Sequence, residues 1–424
     1  MQRQFLFSLF SILLAGLIGL TVSASGHAQE ELSDDREILE RDVKAQAMSE
    51  PVYKRLSAVH ELMGEDQNAE AMQRAQVLLE NGRLNNYERA LVLQAIGFIH
   101  ANESRIEPAI DFFEQSLALN ALQAQAQQGM LYSLASLYAA EGKYMKAIDT
   151  AREWFKYEAE PKADAYMLIG SSFAQLEDYV SSRPYVERAI EKSEKPNEPW
   201  YQLLLAIHFE TKQIPKAVPL LQEMVELWPD KERYWETLSG AHMELNQDRP
   251  ALATMMVAYH KGMITEEEKL LSLVRLNMFL DIPFTGGQIL ESGLEAGQIE
   301  RKKETLTLLE QAWTAAQEYD KALAVMSELG ELTGDPEYAI RQAKIYNELT
   351  RWEDVVASAN RALEQGYDDE GDAYLLIGTA YSEMGRLRDS LAAFKQAEDS
   401  GDADQRKNAR AWIGFVNDRL KIAS

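Results

Sequence analysis

The feature that most constrains this chain is a period. From Pro51 onward, stretches of helical length alternate with short polar turns, and one pattern of bulky and small residues returns about every 35 residues. The pattern fits ten times, in units starting near residues 52, 90, 128, 163, 198, 232, 268, 303, 336 and 371, so successive starts lie 33 to 38 residues apart. The clearest unit is 372–397, DAYLLIGTAYSEMGRLRDSLAAFKQA. There Tyr374, Ile377, Gly378 and Tyr381 share a first helix, Gly385 marks the turn, and Ser390, Phe394 and Ala397 share a second. A two-helix unit of this length cannot bury its apolar face alone and must stack on its neighbours. That resolves the size problem, because 424 residues are too many for one ordinary core.

Each recurring position has a steric reason. Where the helices of a hairpin cross, a large side chain forces the backbones apart. The crossing falls on the twentieth position, filled by Ala71, Ala109, Ala147, Ser182, Ala217, Ala251, Gly287, Ala322, Val355 and Ser390, nine of the ten being Gly, Ala or Ser. The eighth position is small in six units, namely Gly97, Ala135, Gly170, Ser239, Ala343 and Gly378. The eleventh is a bulky plug toward the next unit, as in Tyr138, Phe173, Trp313, Tyr346 and Tyr381. Proline tests the register independently, since it breaks helix interiors. Six prolines (Pro51, Pro161, Pro196, Pro199, Pro229 and Pro336) fall between units, and four (Pro108, Pro215, Pro250 and Pro283) at the start of a second helix. Pro184 and Pro219 sit deeper than the pattern predicts. The unit near residue 268 fits least well, with Glu291 at a position that should be apolar.

The ends differ from the repeats. Phe5 to Val22 is an apolar run after Arg3, closed by the small residues Val22-Ser23-Ala24 and Gly26-His27-Ala28. It is expected to be an export signal over residues 1–28, cleaved after Ala28, with an uncleaved anchor as the alternative. Residues 29–51 form an acidic leader. Between Ala403 and Leu420, Ala409, Trp412, Ile413, Val416 and Leu420 make one apolar helical stripe, which predicts a capping helix over 403–424 rather than a partner-binding helix. The chain has no cysteine, which removes disulfides and a lipidated cysteine at the cleavage point. With a net charge of −25 it repels nucleic-acid phosphates and anionic headgroups.

Catalytic constellations are missing. His100, His208 and His242 all hold the eleventh position, where a flat ring packs, and His60-Glu61 lacks the second histidine of a zinc-protease helix. No phosphate loop, dinucleotide fingerprint or calcium loop occurs in the sequence. The expectation is a binding protein rather than an enzyme, with no cofactor and no metal.

The 372–397 unit resembles the tetratricopeptide repeat, which fills the same positions with Trp, Leu, Gly, Tyr, Ala, Phe and Ala. The resemblance implies an all-α, right-handed superhelical solenoid of about ten hairpins. Positions 2, 5, 9, 12 and 13 of each unit would then face a concave groove. They place Tyr53, Leu56, Met63, Phe98, Tyr132, Met167, Phe209, Met243 and Phe279 there, and the candidate partner-binding set is Phe98, Tyr132, Met167, Phe209, Met243 and Phe279. The alternative is that neighbouring turns or the leader cover them.

Several stretches are similar to a narrower proteobacterial family described as tetratricopeptide components of the TonB system. They are PVYKRLSAVH at 51–60, FFEQSLALNAL at 112–122, Glu153-Trp154-Phe155, PWYQLLL at 199–205, Trp235–Leu238 and Tyr259–Leu271, within a resemblance covering about 45–420. It implies a periplasmic accessory of an ExbB–ExbD–TonB complex, and protein partners with a basic, Pro- and Lys-rich segment. The alternatives are a scaffold for polysaccharide export or outer-membrane assembly, and an enzyme or small-ligand binder hidden in the groove.

Overall fold

A computed structural model of the chain describes residues 32, 38–40 and 47–423. The expected export signal and most of the acidic leader lie outside these residues. Among the described residues the protein is all-helical, with twenty-one helices and no strand. It forms two compact units, one ending at Leu227 and the other beginning at Trp228.

The first unit holds five hairpins: α1 (Glu50–Gly64) with α2 (Asn68–Asn81), α3 (Asn86–Asn102) with α4 (Ile106–Ala118), and α5 (Ala124–Ala140) with α6 (Tyr144–Phe155). The others are α7 (Ala163–Gln175) with α8 (Tyr179–Lys192), and α9 (Glu198–Glu210) with α10 (Ile214–Leu227). The second unit also holds five: α11 (Glu232–Glu244) with α12 (Asp248–His260), α13 (Glu267–Phe279) with α14 (Pro283–Glu295), and α15 (Lys303–Ala315) with α16 (Tyr319–Thr333). Two more, α17 (Glu337–Glu348) with α18 (Trp352–Glu364) and α19 (Glu370–Glu383) with α20 (Leu387–Ser400), precede the final helix α21 (Ala403–Ala423).

All ten hairpins turn the same way. One residue in each, from Asp66 and Ser104 to Thr350 and Gly385, takes a left-handed φ between 55 and 74°. The next residue's N–H then reaches back five residues, as in Gln67 to the Leu62 carbonyl (2.8 Å) and Arg386 to the Tyr381 carbonyl (2.8 Å). This satisfies a carbonyl at the end of the first helix and reverses the chain. The acceptor is the eleventh-position residue, so the turn fixes the repeat register. In the seventh hairpin the acceptor is Asn277 (from Ile282, 2.9 Å), which moves that unit one residue earlier than the sequence pattern placed it. The crossing glycine is therefore Gly286 and not Gly287. A Cβ on Gly286 would lie 3.5 Å from the Asn277 Cβ across the hairpin, whereas one on Gly287 would lie 2.8 Å from the Trp313 ring of α15. The shift also explains Glu291, which lies half-exposed and pairs with Lys321 at 2.8 Å.

The other crossings are close-packed. Ala71, Ala109, Ala147, Ala217, Ala251 and Ala322 are fully buried, and Val355 fits against the fully buried Ala343. Where serine takes the place, its hydroxyl satisfies a carbonyl across the crossing: Ser182 donates to Gly170 O at 2.6 Å and Ser390 to Gly378 O at 2.8 Å. A Cβ on Gly97 would lie 2.5 Å from the Phe113 ring, and one on Gly378 would lie 2.6 Å from Phe394. Pro184 and Pro219 do lie inside α8 and α10. Pro184 leaves the carbonyl of Val180 without an amide partner, at a residue 70% exposed where water can serve.

Within each unit, hairpins pack on their chain neighbours. Contacts that skip a helix join first helices: α1 with α3, α5 with α7 and α7 with α9 in the first unit, α17 with α19 and α19 with α21 in the second. First helices therefore lie on the inner side of each stack. The last helix packs on α20 and α19, stacking Trp412 on Phe394 (5.3 Å, 10°) and burying Ala409 and Val416 completely.

Candidate partner-binding faces

In the first unit the inner face is built around α5, whose sequence AQAQQGMLYSLASLYAA contains no charged residue. Its buried side, Met130, Leu131, Leu134, Ala135 and Tyr138, enters the core. The opposite side carries Gly129, Ser133 and Ser136, with both hydroxyls turned onto their own helix at 3.0 Å, to Gly129 O and Tyr132 O. Neither serine offers its hydroxyl hydrogen outward, so this strip is neutral and short-chained.

The expected aromatic residues lie on α3, α5 and α9 and are buried to different depths. Phe98 is half-buried, its ring edge-on to Phe113 at 4.9 Å. Tyr132 is half-buried and leans on Trp154 at 5.1 Å. From there a ring-to-ring path runs through Phe155 (5.2 Å) to Tyr166 on α7 (5.0 Å). Burial, helped by the Asp164 carboxylate, raises the Tyr132 phenol above its ordinary value and keeps it neutral. Phe209 is half-buried near the end of α9, beside the exposed Ala206. Met167 is only 9% exposed and Leu56 only 3%, so both serve the packing beneath the face rather than the face itself. Tyr53, at 61%, is open.

The second unit differs. Met243 and Phe279 are exposed, at 41% and 72%, but the inner face around them is crossed by ion pairs between successive first helices. Lys269 of α13 meets Glu232 and Glu236 of α11 at 2.7 and 2.8 Å, and these hydrogen bonds raise its ammonium well above the usual lysine range. Lys344 of α17 meets Asp372 of α19 at 2.8 Å. Arg341 meets Glu310 of α15 at 2.5 Å, and Glu310, fully buried at an eighth position, also accepts from Thr314 at 2.8 Å. These pairs fall outside the apolar repeat pattern. Their only signal is opposite charge about one repeat apart, which a search for apolar positions passes over.

The repeat histidines are packing groups. His100 stacks on Phe112 at 5.3 Å, and burial, then Arg105, lowers its pKa. His208 is 3% exposed and lowered by burial and by Lys216 and Arg183, while His242 bonds Gln247 through Nδ1 at 2.8 Å. Among the described residues no three His, Asp or Glu groups could together hold a metal, and no helix is long and apolar enough to cross a membrane.

Stacked hairpins with small crossing residues define a helical-repeat protein, and residues 371–400 match the family described as Tetratricopeptide repeat. The matched stretch is the tenth hairpin, α19 with α20. TPR repeat-containing protein YpiA of Bacillus subtilis (strain 168) is 23% identical over 286 residues, 65% of this chain and 64% of YpiA, so the chain spans less than two thirds of that relative's length. Among solved structures, MamA from Desulfovibrio magneticus RS-1 is 16% identical, with 44% of this chain and 99% of MamA covered and a TM-score of 0.36. YrrB, a TPR protein with an unusual peptide-binding site, is 15% identical, with 45% and 98% covered and a TM-score of 0.35.

Proposed function

We propose that this protein is an exported scaffold that holds a partner protein on the inner face of its first unit, as an accessory of an ExbB–ExbD–TonB energy-transduction complex. The observation that carries the binding reading is an uncharged central helix, α5, carrying half-open Tyr132, with half-open Phe98 on α3 and Phe209 on α9 of the same inner face, in a chain of net charge −25. An uncharged strip in so acidic a protein costs little to desolvate, and half-open aromatic rings are the side chains that dominate interface energies. The surrounding negative charge speeds encounter with a basic segment such as a Pro- and Lys-rich linker, and salt weakens that contribution. The TonB association and the periplasmic location rest on the family resemblance and on the apolar N-terminal run.

The test places a photo-crosslinking amino acid at Ser133 and Ser136, and at the outer control Lys146, in the native host. The whole cell envelope is then probed with antisera to TonB, ExbB and ExbD. Crosslinks to TonB from the two serine positions, and not from Lys146, are expected. Adducts from Lys146 alone overturn the choice of face. Adducts to other envelope proteins only overturn the TonB assignment and leave the scaffold standing.

A further inference from the structure

The turn joining α13 to α14 differs from its nine counterparts. In every other hairpin the residue after the left-handed one is polar or charged: Gln67, Arg105, Lys143, Asp178, and so on to Arg386. Here it is Ile282, which is 39% exposed. Phe279, three residues earlier, is 72% exposed, and Phe284, two residues later, is 44% exposed. The hairpin therefore presents two phenylalanines and an isoleucine within six residues, where the α7–α8 turn exposes the smaller Leu176 and Val180 and no other turn exposes an aromatic ring.

This tip is a firm platform. Ile282 is tied by its N–H to Asn277 O at 2.9 Å, and the Phe284 ring stands edge-on to Trp313 at 5.9 Å. Trp313 is fully buried and covered by the Lys321 ammonium at 4.1 Å. Phe279 and Ile282 thus project from a fixed base, and little ordering entropy remains to be lost on binding. The rim is acidic. Asp281 lies within the tip, Glu244 and Asp248 on the preceding turn, and Glu318 and Asp320 on the following one, against Arg249, Arg275 and Lys321 as the cations, of which Lys321 is already paired with Glu291. Asp320 is 90% exposed and 3.3 Å from Arg351.

We infer that the α13–α14 tip is a second docking site, apart from the face proposed above, for a protein segment that alternates large apolar side chains with lysine or arginine. The apolar side chains cover Phe279, Ile282 and Phe284, and the cations answer the acidic rim. A second copy of this chain would bring one acidic rim against another with a net charge of −25 on each, and anionic headgroups meet the same repulsion.

The test uses a fluorescein-labelled peptide of about a dozen residues alternating Phe or Leu with Lys, and two controls, one with Glu for Lys and one with Ser for the apolar residues. Binding to the full chain is measured by fluorescence anisotropy. Comparison chains carry Phe279→Ser with Ile282→Gln, Ile282→Gln alone, and Phe209→Ala. Glutamine already fills the Ile282 place as Gln213 and Gln247, so Ile282→Gln keeps the turn. The basic apolar peptide is expected to bind, to weaken by about tenfold or more in the double variant, and to be unaffected by Phe209→Ala. Weak binding to wild type, equal binding of the Glu peptide, or wild-type affinity retained in both Ile282 variants overturns the proposal. So does a wild-type dimer in sedimentation that Ile282→Gln abolishes. A loss on Phe209→Ala alone places the peptide on the first unit's face and also overturns it.

Discussion

Thr350 holds a left-handed φ of 55°, where a β-branched side chain crowds its own backbone. The conformation costs about 1–2 kcal/mol in any residue with a Cβ, and glycine escapes it at some cost in unfolded-chain entropy. Thr350→Gly is therefore expected to stabilise the protein by about 0.5–1 kcal/mol, read as a higher urea midpoint with an unchanged slope. A lower midpoint would mean that the hydroxyl does something at this turn that steric reasoning misses. At this scale size was legible from sequence and orientation was not. The small residues at the crossings stood out because the backbones exclude anything larger. Gly286 and Gly287 could not be told apart, since both are equally small and only the turn's hydrogen bond to Asn277 selects between them. Met167 was misplaced because a groove-facing position on a template does not reveal how deeply a flexible side chain folds back into the core.

Helix α3 is the element most tied to what precedes the repeats. Its capping residue Asn85 accepts from the Glu88 N–H at 2.9 Å, and the Glu88 carboxylate accepts from the Asn85 N–H at 2.9 Å. Glu88 is 2% exposed, and its other oxygen accepts from Ser49 N and Ser49 Oγ at 2.8 and 2.7 Å. Burial alone would push this carboxyl up. The two bonds from Ser49 and the one from Asn85 together outweigh it, so Glu88 lies below its ordinary 4.5. A carboxyl held lower in the folded state adds stability that is fully present above the unfolded value and is lost as pH falls through the folded one. Glu88→Gln is expected to cost about 2 kcal/mol at pH 7, from the charged hydrogen bonds lost. The gap to wild type should narrow below pH 4.5, as followed by urea melts across pH. A gap that stays constant with pH would mean the carboxylate charge contributes nothing. The capping box was open to discovery in Asn85-x-x-Glu88, but its link to Ser49 joins residues 39 positions apart and left no local signal.

Across the whole molecule the period was readable because each hairpin answers to its neighbours, so the same few steric demands recur along the chain. The binding faces were less readable, because they are the positions those demands leave free. The apolar tip of α13–α14 is a case in point, since it shows as an exception only once the other nine turns are in register. The end of the stack follows the neighbour rule too. Removing residues 403–424 uncovers Phe394 and takes away Trp412, Ala409 and Val416, at an expected cost of about 3 kcal/mol or more, measured as a lower urea midpoint. An unchanged midpoint would mean that α21 serves a partner rather than the stack. Contacts between chain neighbours also determine how the protein responds to being pulled. With few bonds tying distant hairpins together inside a unit, a load on its ends has no single clasp to break. Hairpins peel away one after another, each of about 35 residues and each paying out roughly 120 Å of chain. A unit loaded in this way gives ground in steps, and the hairpins further along keep their packing.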